Sequence, residues 1–440
     1  MAASIATAAT GLDEECVAFP GDGWVSATGR HVHDPTLFEA AAGSFLCFST
    51  SGDGFGVLRS SQNLIDWTIH GAITQTPQWL VQRIPDHRSM WAPDLLRLPD
   101  GRLRLYYSAS QRFGQNTSWI GLAQNDSFDP SHPQQGWRDL GPVIHSQRDR
   151  DDFNAIDPDV VIDRDSGRHW LFFGSFWSGL YALELDPDTG KPLNPDKPQM
   201  IHVARNSERG NPIEAPVVVF REGHYYLFVS YGLAAQGVRS TYRIVVGRSQ
   251  QITGPYLGRD GRPMLEGGHA VVLKSSAPMF APGHCDVMPD SSGRWLLAYH
   301  FYDARRFWVD DKWGLPTLQV RELIWDDAGW PLPGLPVQYP ARADAPGSAE
   351  ASVVGKWIHQ ADFSQPTTID LRDDGSAVQA GGLIGNWTRE GAKLTLRWPR
   401  AARDGPDQSF WIDTVQLAYG GKYYVGTNQT GSIIRGMRQQ

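Results

Sequence analysis

The chain is poor in cysteine, in long apolar runs and in clustered positive charge, and each scarcity removes a class of function. Its three cysteines, Cys16, Cys47 and Cys285, leave one unpaired and contain no C-x-x-C spacing, so they build neither a disulfide framework nor a zinc site. Cys47 falls inside an apolar strand pattern and is expected as a buried filler. Cys285, next to His284, is expected near a channel with its thiol exposed, and carries no assigned role. No apolar stretch approaches the roughly 18 residues that a membrane span needs, so no membrane partner is expected. The 440 residues carry a net charge of −8, and no run of Lys and Arg interleaves with aromatics, which argues against a nucleic-acid partner. The opening MAASIATAAT lacks a basic start and a sustained apolar core, so it reads at most as the remnant of a trimmed signal. Apolar segments with a 3.6-residue period are scarce as well, which disfavours a helical fold.

What the chain does have is a repeat. HDPTLF (33–38), WAPDLL (91–96), IDPDVV (156–161), IEAPVVVF (213–220) and GHCDVM (283–288) each begin a short apolar strand. Each is followed by a turn glycine, Gly43, Gly101, Gly167, Gly223 or Gly293, and a second apolar strand. Counted back nine or ten residues from those glycines, the equivalent positions are Asp34, Ala92, Asp157, Glu214 and His284. The copies are 58, 65, 57 and 70 residues apart, room for a four-stranded sheet each, and a third strand is readable in most. That period predicts an all-β chain whose main body is a five-bladed β-propeller. The composition turns small and turn-prone around Ala341, in ARADAPGSAEAS, and short strands resume after it. The expected organisation is therefore an N-terminal segment 1–25, a propeller 26–340, a linker 341–352 and a small all-β barrel or sandwich-like module 353–440.

In a propeller the first strand of every blade lines the central channel, so residues distant in sequence meet there. Turn chemistry accounts for Pro35, Pro93 and Pro158, and for Asp94, Asp159 and Asp286 two residues beyond the repeated position. It accounts poorly for Asp34, Asp157 and Glu214 facing one channel, because clustered carboxylates repel one another. Three such groups suit glycoside hydrolysis, in which one carboxylate activates water and a protonated one donates to the leaving oxygen. Glu214 has the longer reach and is expected as the acid, Asp34 as the base and Asp157 as the group that raises the acid's pKa. Aromatic rings near the channel end would stack on sugars. Among Trp91, Phe113, Trp119 and Trp177, Trp91 and Phe113 are the expected substrate contacts, and the other two are read as blade packing.

At these residues the chain resembles glycoside hydrolase family 43, and within it the arabinan endo-1,5-α-L-arabinanase type. HDPT with Asp34, WAPD with Trp91, NAIDPDV with Asp157, GSFWSGLYALELDPDTGKP from Gly174, IEAPVVV with Glu214 and PGH with His284 occur in the family's order and spacing. The resemblance implies a five-bladed propeller, inversion at the anomeric carbon, and cleavage of plant cell-wall arabinan by a base, a pKa modulator and an acid. It also implies a cation, commonly calcium, at His284. One imidazole by itself is a poor start for calcium and a hydrogen-bonding role is the simpler reading of that residue. An exo-acting α-L-arabinofuranosidase or β-xylosidase shares the same residues and remains open, as does a non-catalytic sugar-binding propeller. A monomer acting in an extracellular or periplasmic setting is expected.

Overall fold

The computed structural model describes residues 18–25, 27–50, 57–73, 76–85, 90–306, 314–337, 352–400 and 410–439. Cys16, most of the expected N-terminal segment, and residues 341–351 of the expected linker lie outside the described residues.

Five four-stranded antiparallel sheets form the blades of a propeller, and a closed eight-stranded barrel follows. The innermost strands are Thr36–Ala41, Trp91–Arg97, Asp159–Ile162, Ile213–Arg221 and Met279–Pro289 in blades 1 to 5. Each blade is continuous in sequence, so no strand is shared between the first and last blades. The ring closes instead through a bridge between Arg30 and Thr317 and through apolar packing of Leu37, Phe45 and Cys47 against Leu296, Ala298 and Leu318. Comparable apolar seams fill the other blade interfaces. Cys47 is fully buried, as its strand pattern implies. Cys285 is buried too, at 1% exposure; its side chain packs into the seam between blades 4 and 5, which corrects the expectation of an exposed thiol.

Asp94, Asp159 and Asp286 do more than form turns. Asp94 accepts the amide of Val160 at 2.9 Å, Asp159 that of Val218 at 2.9 Å, and Asp286 that of Leu37 at 2.6 Å. Each carboxylate thus ties its blade to the inner strand of the next, satisfying an amide that has no ladder partner on the channel side. Burial and then Asp286 push Asp94 up to about 8, so it serves as a neutral acceptor over much of the physiological range.

The barrel runs from Gly355–Ala361 to Ile433–Arg438, and these first and last strands pair, Trp357 opposite Arg438. Closure leaves no exposed edge. Its interior is filled by Trp357, Ile369, Leu394, Leu396, Val415 and Tyr424. The barrel is seated against blade 5: Tyr423 donates to the carbonyl of Pro333 at 2.6 Å and the Leu335 amide donates to Tyr419 at 3.0 Å. At the centre of that junction the carboxylate of Asp22 meets the guanidinium of Arg321 at 2.5 Å and that of Arg435, all three side chains essentially without solvent contact.

Candidate functional site

The repeated position at the start of each inner strand adopts a left-handed backbone, at φ values of 52° for Asp34, 45° for Ala92, 59° for Asp157 and 45° for His284. Non-glycine residues avoid this region unless their surroundings enforce it. The enforcing contact comes from a neighbouring blade. The amides of Ala92, Asp157 and His284 donate to the hydroxyls of Thr50, Ser108 and Ser230 at 3.0, 2.8 and 2.7 Å, and the amide of Asp34 donates to Nδ1 of His300 at 3.2 Å. These four partners lie near the end of the second strand of the preceding blade, each seven residues after its turn glycine. The ring of partners is readable from the same repeat that reveals the carboxylates, but it lies on the second strand of each copy, where hydroxyl and imidazole side chains carry no charge pattern to mark them.

Blade 4 departs from the register expected of it. Its left-handed residue is Ala215, at φ 55°, and the Ala215 amide donates to Asp157 Oδ2 at 3.2 Å. Glu214 therefore stands one residue before the position held by Asp34 and Asp157. Counting back from Gly223 hides this, because one fewer residue separates Ala215 from the turn. Blade 3 carries the matching change: Ser175 follows its turn glycine by eight residues rather than seven, and its hydroxyl donates to Glu214 Oε2 at 2.6 Å.

Asp34, Asp157, Glu214, Trp91, Phe113 and His284 all line one cavity of about 680 Å³ at the channel end, within the range of about 300–1,000 Å³ usual for small-molecule sites. Trp91 and Phe113 meet edge to face, 6.5 Å apart, and Phe113 is 73% exposed at the rim. Trp177 lines the same cavity and is partly exposed, so it belongs with the site rather than with blade packing. Trp119 borders a different cavity.

The electrostatics separate the carboxylates. Burial would raise the pKa of Asp34, but His284 and His33 outweigh it and hold the group well below the usual carboxylate range. His33 Nδ1 lies 2.7 Å and His284 Nδ1 3.1 Å from Asp34 Oδ1, while Thr50 donates to Oδ2 at 2.5 Å. His33 is in turn fixed by Tyr302 at 2.8 Å. Asp157 and Glu214 move the other way: burial raises both, and in Asp157 repulsion from Glu214 and Asp34 adds to it despite the opposing pull of His284. They titrate as a pair that retains a proton where Asp34 is ionised. One anionic carboxylate and one protonated carboxyl facing a sugar-sized cavity supply the two partners of acid–base hydrolysis.

Two features bear on a cation. Ligand atoms of His33, Asp34 and His300 lie within 4.8 Å of one another, but His33 is committed to Asp34 and Tyr302, and His300 accepts the Asp34 amide; the three read as a support for Asp34. His284 also borders a small axial cavity of about 20 Å³, lined by Asp94, Asp157, Asp159 and Asp286. Its Nδ1 is directed at Asp34, 3.1 Å from Oδ1. An imidazole beside the carboxyl oxygens of these four side chains is a donor set that a hard cation taking oxygen ligands would fit.

Comparison with known proteins places these features. The model of glycosyl hydrolases family 43 matches residues 28–331. The chain is 38% identical over 309 residues to the extracellular endo-α-(1→5)-L-arabinanase 1 of Bacillus subtilis, covering 69% of this chain and 88% of that one. It is 37% identical to the extracellular exo-α-(1→5)-L-arabinofuranosidase ArbA of Cellvibrio japonicus, over 68% and 85% of the two chains. The crystal structure of endo-1,5-α-L-arabinanase from Thermotoga petrophila, 22% identical, covers 96% of this chain and 100% of its own with a TM-score of 0.72, so the fold of propeller and barrel together is shared. With the family model matched across its propeller, the chain belongs to glycosyl hydrolase family 43 and is a glycoside hydrolase.

Proposed function

We propose that the chain hydrolyses α-1,5-linked L-arabinofuranosyl bonds within arabinan, with inversion, outside the cell. The observation that carries the reading is the division of charge in one cavity: Asp34 is held ionised by His33 and His284 while Asp157 and Glu214 retain a proton between them. Asp34 takes a proton from a water molecule as that water attacks the anomeric carbon. Glu214, held through Ser175, delivers a proton to the departing glycosidic oxygen. Asp157, fixed by the Ala215 amide, is the proposed pKa modulator: it shares the retained proton with Glu214, so that the pair stays partly protonated beside ionised Asp34. Trp91, Phe113 and Trp177 supply apolar faces for sugar rings on either side of the scissile bond.

His284 is the proposed ligand of a cation, for which calcium suits the oxygen-rich surroundings. The surrounding carboxylates, led by Asp34, overcome burial and raise its pKa to about 9, so a cation held by this imidazole would take the place of a proton. Bound, the cation would supply fixed positive charge to the base of the site.

The sequence relatives named endo- and exo-acting are nearly equal in identity, so the action pattern is the direct test. Linear 1,5-arabinan should give mixed oligosaccharides and a rapid fall in viscosity. Free arabinose as the sole early product, with viscosity unchanged, would establish the exo-acting reading with the same three carboxylates.

A further inference from the structure

A second cavity of about 670 Å³ adjoins the catalytic one, and Gln115 lines both. Its lining includes Arg83, Arg112, Arg148, His145 and Trp119, and no acidic side chain among the described residues. That is a concentration of positive charge in a chain whose net charge is −8. The walls are built rather than incidental. Asn116, 2% exposed, donates to the carbonyls of Asp151 and Phe153 at 2.9 Å each, and the Arg148 amide donates to Thr117 Oγ1 at 3.2 Å. These bonds fix the loop carrying Arg112 and Gln115 against the one carrying Arg148. Nearby carboxylates only partly offset the guanidiniums: Asp149 stands 3.8 Å from Arg148 and is largely exposed, and Asp151 is engaged by Arg150.

We propose that this cavity is a subsite for a carboxylate-bearing sugar, a uronosyl residue carried on the polysaccharide bound in the catalytic cavity. Guanidinium groups pair with carboxylates through parallel N–H donors. The amides of Gln111, Gln115 and Gln147 suit sugar hydroxyls, and the indole of Trp119, stacked on His145 at 6.1 Å, offers a flat apolar edge. Burial, followed by Arg150, holds His145 below its usual range, so the imidazole is neutral near pH 7. Because Arg150 donates to its Nε2 at 3.3 Å, Nδ1–H is left as a further donor. Because Gln115 lines both cavities, a chain that extends past it would occupy both. The proposal rests on the glycan-cleaving reading above and narrows its substrate to arabinan that retains acidic sugars.

The test compares neutral linear arabinan with arabinan retaining uronosyl residues, using wild type and an Arg83→Gln, Arg148→Gln double variant. At low salt the wild type should show a KM for the acidic substrate lower by about fivefold, the scale of two partly exposed ion pairs. High salt and the double variant should each erase that difference while kcat and the neutral KM stay unchanged. Calorimetry with an oligogalacturonate and, separately, inorganic phosphate reads the cavity without catalysis. Oligogalacturonate binding lost in the double variant supports the subsite. Equal KM values in the wild type, a preference that survives in the double variant, or phosphate displacing the oligosaccharide at equal concentration would overturn it. Failure to cleave neutral arabinan would instead strike the proposed function and leave the calorimetric result to judge this cavity.

Discussion

Replacing Thr50 by Val keeps the shape of the side chain and removes two hydrogen bonds at once. The hydroxyl donates to Asp34 Oδ2 at 2.5 Å and accepts the amide of Ala92 at 3.0 Å. A hydrogen bond to a charged group is worth about 1.5–3 kcal/mol, and this one favours the ionised form of Asp34. Its loss raises the pKa of the proposed base, so the acidic limb of the kcat/KM profile should move to higher pH. On that limb the variant should lose activity by about tenfold or more, the equivalent of roughly 1.4 kcal/mol upward, while the alkaline limb stays in place. The second bond concerns stability: Ala92 is 2% exposed, and leaving its amide unsatisfied should cost about 1–3 kcal/mol. The assay is a pH series of initial rates on linear arabinan, with a thermal melt to confirm the fold. Thr50→Ser, which restores the hydroxyl, should return both profile and stability. An acidic limb that superimposes on that of the wild type would refute the assignment of Asp34 as a base held ionised by its neighbours.

Three further predictions follow from the same contacts. Ser175→Ala removes a bond that favours ionised Glu214, so the alkaline limb should shift upward and the acidic limb stay fixed; a shift of the acidic limb would reverse the acid and base assignments. His284→Ala should lose a cation that carefully purified wild type holds at about one equivalent, and elemental analysis finding no metal in either protein, with chelator inert, returns His284 to a hydrogen-bonding role. Asp22→Ala strands two buried guanidiniums and should cost about 3–5 kcal/mol, read as an earlier unfolding transition. Arg435 and Arg321 outweigh burial and lower the pKa of Asp22, so its contribution is present above the ordinary carboxylate range and lost as pH falls through its depressed folded value. The stability gap between wild type and Asp22→Ala should therefore narrow on acidification, and a gap independent of pH would count against the ion pair.

Much of the site was legible because a propeller converts a repeat in sequence into convergence in space. Asp34, Asp157 and His284 stand nine or ten residues before a turn glycine, and a constant seven residues after such a glycine marks Thr50, Ser108, Ser230 and His300. Glu214 was found by that count for the wrong register, since compensating one-residue changes in blades 3 and 4 leave the interval unchanged while moving the backbone. His33 stood in plain view in HDPT, yet its bond to Tyr302 joins residues 269 apart and no local pattern signals it. Asp22 is a stronger case, with partners 299 and 413 residues away. Barrel closure was likewise hidden: strand patterns predict short strands, but the pairing of Trp357 with Arg438 is decided by which edges remain unpaired after the sheet curls. Trp177 resembles a packing tryptophan in sequence, and its place in the cavity depends on a left-handed turn at Phe176 and Trp177.

The central claim is that Asp34 activates water and Glu214 protonates the leaving oxygen from opposite sides of the sugar. Such an arrangement needs room for a water, with the two carboxyl groups about 6.5–9.5 Å apart. Proton NMR of the first-formed reducing end, recorded before mutarotation, reads the outcome directly. Hydrolysis of the α-linked substrate should release the β-anomer first. First release of the α-anomer would mean that a carboxylate attacks the sugar itself, making Asp34 a nucleophile and contradicting the mechanism.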